Sequence, residues 1–104
     1  FIPYSNLVDT KMNDIKQTLY LIFSSPHSPT AKLSLSVVGK NDTVLFLGDG
    51  VFHASTITEP EFHCFFLEND IQVRGLEVPT DRCIGYDAFV GLCEEFDNVI
   101  SWPK

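Results

Sequence analysis

No stretch of the 104-residue sequence approaches the roughly 18 apolar residues that a membrane-spanning helix needs, so the chain is expected to be soluble. No basic stretch precedes an apolar one near the start, so no secretory signal is read there. Basic residues are scarce, with 7 Lys and Arg against 14 Asp and Glu and a net charge of -7. An acidic surface repels phosphates and lacks the basic patch that RNA or DNA binding requires. No direct contact with nucleic acid is therefore expected, although a basic partner in a complex could supply one. Cysteine is limited to Cys64, Cys83 and Cys93. The count is odd, the surroundings are apolar and no CxxC spacing occurs. That spacing excludes a zinc ribbon and a thioredoxin-type redox pair, and free thiols in a reducing cytoplasm are the expected state. No internal repeat or low-complexity segment is visible.

What is present is ordinary globular composition: 44% hydrophobic and 20% charged residues, which excludes wholesale disorder. A chain this short builds one modest core. Residues 1–11 show no period, and Met12 is the sole Met. The expectation is a single domain over residues 12–104, preceded by a cloning remnant or loose extension at 1–11.

The body alternates strands and helices. Residues 18–23 form a continuous apolar run of strand formers. The loop 24–29 holds two prolines, and Thr30 is placed to cap a helix reaching about Val38, with Gly39 to end it. Residues 43–47 read as a second strand, broken by Gly48-Asp49-Gly50, with Asp49 capping a short helix over 51–55. Residues 61–67 form the third strand, and Asn69 or Asp70 caps a helix ending near Gly75. Residues 82–86 form the fourth strand. Asp87 caps a last helix over 88–96, whose Phe89, Leu92, Cys93 and Phe96 share one face. Residues 98–102 add a short edge strand.

Strands apolar on both sides and separated by helices predict a small three-layer α/β/α domain with a mainly parallel sheet of four to five strands. Phe23, Leu45, Leu47, Phe66 and Phe89 are its expected core. In such sheets sites form beyond the carboxyl ends of the strands. Those ends carry residues 24–28, 48–52, 68–70 and 86–87.

Each reactive group has a plainer reading. His63 and Cys64 are strand neighbours, so they point to opposite faces and form no dyad. Cys64 and Cys93 are expected in the core, where burial makes a thiol inert; Cys83, near the start of the fourth strand, is expected to be structural too. His27 and His53 follow the first two strands at the expected site edge, with Asp49 nearby. Their spacing matches no metal motif, so solvated loop histidines are expected, with a polar cluster as the functional alternative. Gly48-Asp49-Gly50 lacks the patterns of phosphate-binding loops, and Asp49 would repel a phosphate. No metal or cofactor is implied. Among the aromatics, Phe52 and Trp102 are the best interface candidates, because they lie in loop or tail positions.

The order of motifs resembles the DsrH/TusB family of the DsrE/F/H-like sulfur-relay proteins. The matching stretches are 19–26, 42–54, 66–75, 86–92 and Ser101-Trp102. The most specific are the strand-Asp49-Gly50-Val51 turn followed by Ala54, the Asp70-x-x-x-Arg74-Gly75 helix end, and Trp102. The resemblance implies a small α/β fold and a hetero-hexamer with related subunits of the DsrE/TusD and DsrF/TusC kinds. It also implies persulfide transfer toward 2-thiolation of wobble uridine in tRNA or, in sulfur oxidisers, toward dissimilatory sulfur metabolism. DsrH members of sulfur oxidisers carry a cysteine at a position that falls near Ser34 here. Serine forms no persulfide, and TusB-type members also lack this cysteine.

The resemblance therefore implies a non-catalytic cytoplasmic subunit that does not carry sulfur itself. Asp49, Gly50, Val51 and Phe52 would then shape an interface loop, and Arg74 and Trp102 would fix neighbouring segments or contact a partner. No membrane contact is expected, and the isolated chain is open to self-association. The competing class is a small stand-alone thiol carrier or enzyme using Cys83 or Cys64.

Overall fold

In a computed structural model the chain is described over residues 18–57, 60 and 62–102. The expectations for residues 1–11 and a start at Met12 lie outside these residues, as does Glu61 of the expected third strand. Five strands form: β1 (Thr18–Ile22), β2 (Thr43–Phe46), β3 (His63–Leu67), β4 (Cys83–Ile84) and β5 (Asn98–Trp102). They make one sheet in the order β4-β3-β2-β1-β5, and every neighbouring pair is parallel.

The connections include α1 (Pro29–Ser36), a 3₁₀ segment (Gly48–Ser55), α2 (Glu68–Val73) and α3 (Tyr86–Glu95). β1 to β4 step across the sheet in one direction, whereas β4 to β5 returns across it. Right-handed crossovers then place α3 on the face opposite the other helices. The packing agrees. Tyr20, Ile22, Val44, Phe46, Cys64 and Phe66 point to one face and meet Val51, Ile71, Leu35 and Val38. Leu19, Leu45, Leu47 and Leu67 point to the other and meet Phe89, Leu92, Cys93 and Phe96. Alternate side chains of each strand thus feed two apolar layers, which makes the three-layer α/β fold.

The second layer is the thinner. Among the described residues a single helix covers it, and no α3 residue is fully buried. Of the expected core, Leu45, Leu47 and Phe66 are buried, but Phe23 and Phe89 are only half-buried. Cys93, expected in the core, is likewise half-buried.

Helix ends differ from the sequence reading in instructive ways. Ser28, not Thr30, caps α1: its Oγ accepts from Thr30 N–H at 3.2 Å. Pro29 supplies the preset φ of the first helical residue and has no N–H to satisfy, which moves the start back. The helix stops at Ser36 rather than Val38. Gly39 instead belongs to a turn closed by Asp42, whose carboxylate accepts from Gly39 N–H at 2.8 Å and Thr18 N–H at 3.2 Å. Asp49, Asn69, Asp70 and Asp87 are not the N-caps of their own segments, which follow Leu47, Leu67 and Gly85 without a side-chain cap. Tyr86 opens α3 instead of closing β4.

Gly75 does end α2 as the sequence suggests. Its φ is +65°, and Gly75 N–H and Leu76 N–H donate to the Gln72 and Ile71 carbonyls, each at 3.1 Å. That is the paired bonding of a left-handed C-terminal stop.

Candidate functional site

The candidate site is the turn that leaves the carboxyl end of β2. Leu47 N–H donates to the Ile22 carbonyl at 3.2 Å, which pins the start of the turn to the end of β1. Gly48 then takes φ +58°, a conformation that glycine adopts without strain. Gly50 lies so close to β1 that a Cβ on it would stand 2.1 Å from the Ile22 carbonyl oxygen. No side chain fits there. Val51 follows and is fully buried, so of residues 49–52, expected to shape an interface loop, it offers a partner no side-chain surface. Of Val51 and Phe52 only Phe52 reaches the surface, at 38% exposure.

A polar brace holds the turn. Asp70 Oδ2 accepts from Gly48 N–H at 2.8 Å. Arg74 donates to Asp49 Oδ1 at 3.0 Å and to Asp70 Oδ1 at 3.4 Å. Its guanidinium also stands 5.9 Å from the centroid of the Phe52 ring, within cation–π range. Arg74 thus ties α2 to the turn and backs Phe52 from one side. Asp70 has a larger part than the capping role read from sequence. The available signal was its i,i+4 spacing to Arg74, which puts the two on one helix face.

His53 departs most from expectation. It is 2% exposed, stacks on Phe46 with ring centroids 4.6 Å apart, and its Nε2 lies 3.0 Å from the Ser24 carbonyl. A carbonyl only accepts, so Nε2 carries the proton and donates. Burial pushes the His53 pKa below its ordinary value, partly offset by that bond. It is a neutral core group. His27 is exposed, so the structure does not assemble the two histidines into a loop cluster. Among the described residues no group of three or more His, Cys, Asp or Glu is placed to hold a metal ion.

Trp102 packs against the layer of Tyr20 and Phe46 and is half-buried. Its Nε1 and the Ser24 Oγ are buried without a hydrogen-bond partner.

The thiols lie elsewhere. Cys64 is buried and His63 exposed, on opposite faces as the strand alternation requires. Burial raises the Cys64 pKa, and the nearby Arg82 charge opposes this. Burial also raises Cys83, reinforced by the carboxylates of Glu68 and Asp81, and raises Cys93 together with Glu94. A cleft of about 390 Å³ opens at the amino-terminal end of β3, lined by His63, Cys64, Asp81 and Arg82 among others. It lies at the end of the sheet opposite the braced turn.

Comparison with known proteins follows from this geometry. The family model described as "DsrH like protein" matches residues 24–99, which include the braced turn, α2 and α3. The solution structure of protein Tm0979 from Thermotoga maritima is similar, with a TM-score of 0.60 and 25% identity, covering 75% of this chain and 92% of that one. A search of curated proteins finds no match. The family match spans most of the chain and the fold is a parallel α/β sheet, so the chain belongs to the DsrH-like family of sulfur-relay subunits.

Proposed function

We propose that this chain is a non-catalytic subunit of a cytoplasmic sulfur-relay complex, supporting persulfide transfer toward 2-thiolation of wobble uridine in tRNA. Its partners are related α/β subunits of the DsrE/TusD and DsrF/TusC kinds, joined in a hetero-hexamer. The observation that carries the reading is the state of the thiols. All three pKa values are raised. A thiolate is the nucleophile that takes up sulfur, so thiols held protonated near neutral pH are poor carriers. Ser34, near the position where sulfur oxidisers carry a cysteine, is buried, and its Oγ donates to the Ala31 carbonyl at 2.9 Å. The partner supplies the reactive cysteine.

The braced turn is the proposed contact. Gly50, Asp70 and Arg74 fix it before any partner arrives, so presenting Phe52 costs little ordering entropy. A half-exposed aromatic on a rigid turn fits an interface anchor. Reconstitution with the two partner subunits tests this. Phe52→Ala should weaken assembly while circular dichroism of the isolated variant stays native. Unchanged assembly by Phe52→Ala and by Asp49→Arg would move the interface elsewhere.

The second reading, a stand-alone thiol carrier, is favoured by one observation, the cleft beside Cys64. Thiol titration separates the two: ionisation near or below neutral pH at Cys64 or Cys83 supports the carrier. Loss of 2-thiouridine on deletion separates the tRNA role from a part in dissimilatory sulfur oxidation.

A further inference from the structure

Among the described residues no strand pairs with the outer edge of β5. Asn98-Val99-Ile100-Ser101-Trp102 contains no charged residue and no proline, and its first four residues are exposed. Edge strands are usually blunted by lysine, proline, a bulge or a covering segment, since unpaired backbone groups template pairing with another chain.

The hydrogen bonding shows which groups are free. Ile100 pairs with Tyr20 and Trp102 with Ile22 in parallel register, and Phe23 N–H donates to the Trp102 carbonyl at 3.3 Å. In a parallel ladder a residue sends both of its backbone groups to the same neighbour, and the next residue sends both the other way. Asn98, Ile100 and Trp102 therefore face β1. Val99 and Ser101 turn N–H and C=O outward.

This pattern is self-complementary. A second copy laid antiparallel, with the two-fold axis at Ile100, sets each Val99 opposite the other copy's Ser101. Two such pairs close four backbone hydrogen bonds, and the two Ile100 side chains meet on the axis. Ile100 points to the face that Tyr20 shares and α1 covers. α1 adjoins β5 and exposes Leu33 at 59%; its C-cap residue Val37 is 51% exposed and Ile100 is 43% exposed. Charge favours the same occupant. The chain carries -7 overall, yet residues 29–40 hold two Lys and no acid, and 98–102 hold no charge. Two copies meet here without opposing carboxylates.

We propose that the chain forms a two-fold dimer by antiparallel pairing of β5 with β5, joining two five-stranded sheets into one. This is independent of the sulfur-relay reading, which places the partner subunits on the Phe52 turn. The test is light scattering of the full chain under reducing conditions, from micromolar to millimolar, with amide exchange followed in parallel. The mass should rise from one chain to two and stop. Val99 and Ser101 amides should gain protection as the dimer fills, while Ile100 and Trp102 stay protected throughout. Ser101→Pro removes only an outward N–H, and Ile100→Lys sets two like charges on the axis. Both variants should keep a native spectrum and remain monomeric. A single-chain mass over the whole range overturns the proposal. So do assemblies larger than two, a dimer kept by Ile100→Lys, or a dimer whose Val99 and Ser101 amides exchange freely. If Ser101→Pro does not fold, Ile100→Lys decides alone, since at 43% exposure its side chain has room to reach solvent in the monomer.

Discussion

Replacing Gly50 by alanine adds one methyl group at the tightest point of the molecule. The new Cβ would stand 2.1 Å from the Ile22 carbonyl oxygen. The turn and the end of β1 must then separate by roughly 1 Å, because both contacting parts are backbone and neither can rotate aside. Overpacking of this kind costs about 1–3 kcal/mol. The separation also breaks the Leu47–Ile22 hydrogen bond, worth about 0.5–1.5 kcal/mol net. The sum, about 2–4 kcal/mol, is a large share of the roughly 5–15 kcal/mol that holds a domain folded. For a domain of this size about 1 kcal/mol shifts Tm by about 4–8 °C. Thermal unfolding followed by circular dichroism should therefore show Gly50→Ala melting at least about 8 °C lower. Gly91→Ala is the internal control. No atom lies within 4 Å of its would-be Cβ, and Gly91 sits inside α3, where alanine is favoured by about 0.5–1 kcal/mol. That variant should melt slightly higher. A Gly50→Ala protein melting within a degree or two of the parent refutes the close approach of the turn to β1.

Further outcomes follow from the same contacts. Leu45→Ala, at a fully buried position in β2, should cost about 2–5 kcal/mol in urea unfolding; a smaller change contradicts its place in the core. Arg74→Ala removes both ion pairs of the brace. The expected cost is only about 1 kcal/mol, because the Asp49 side chain is 40% exposed and solvent screens it. Arg74→Lys should not restore the loss, as a single ammonium lacks the fork that reaches both carboxylates. His53 makes stability pH-dependent. Its folded pKa is lowered, so between the unfolded value of about 6.5 and the folded one the unfolded chain binds the extra proton. The stabilisation from keeping His53 neutral is full above that window and declines as pH falls through it. Urea midpoints that do not fall through this range would contradict a buried neutral His53.

Much of the fold was readable because parallel strands buried on both faces leave unbroken apolar runs, as in residues 18–22 and 43–46. The face of α3 was readable from the spacing of Phe89, Leu92, Cys93 and Phe96, although one helix over that layer leaves them half-buried. The site was less readable. His53 looks like a loop residue until the 3₁₀ segment turns it inward onto Phe46 and the Ser24 carbonyl. Asp49 has the local look of a cap, but its partner Arg74 lies 25 residues away, and no short-range rule supplies that contact. The need for glycine at position 50 comes from a carbonyl in another strand. Such contacts depend on how the elements pack, which local pattern does not encode.

The central claim is that this chain joins a sulfur-relay assembly without carrying the sulfur. Native mass spectrometry of the reconstituted complex after exposure to a persulfide donor, with dissociation into its chains, measures this directly. The account predicts that this chain is present in the complex at its unmodified mass and that the added sulfur is found on a partner chain. A stable gain of one sulfur atom on Cys64, Cys83 or Cys93, or a complex that forms without this chain, would contradict it.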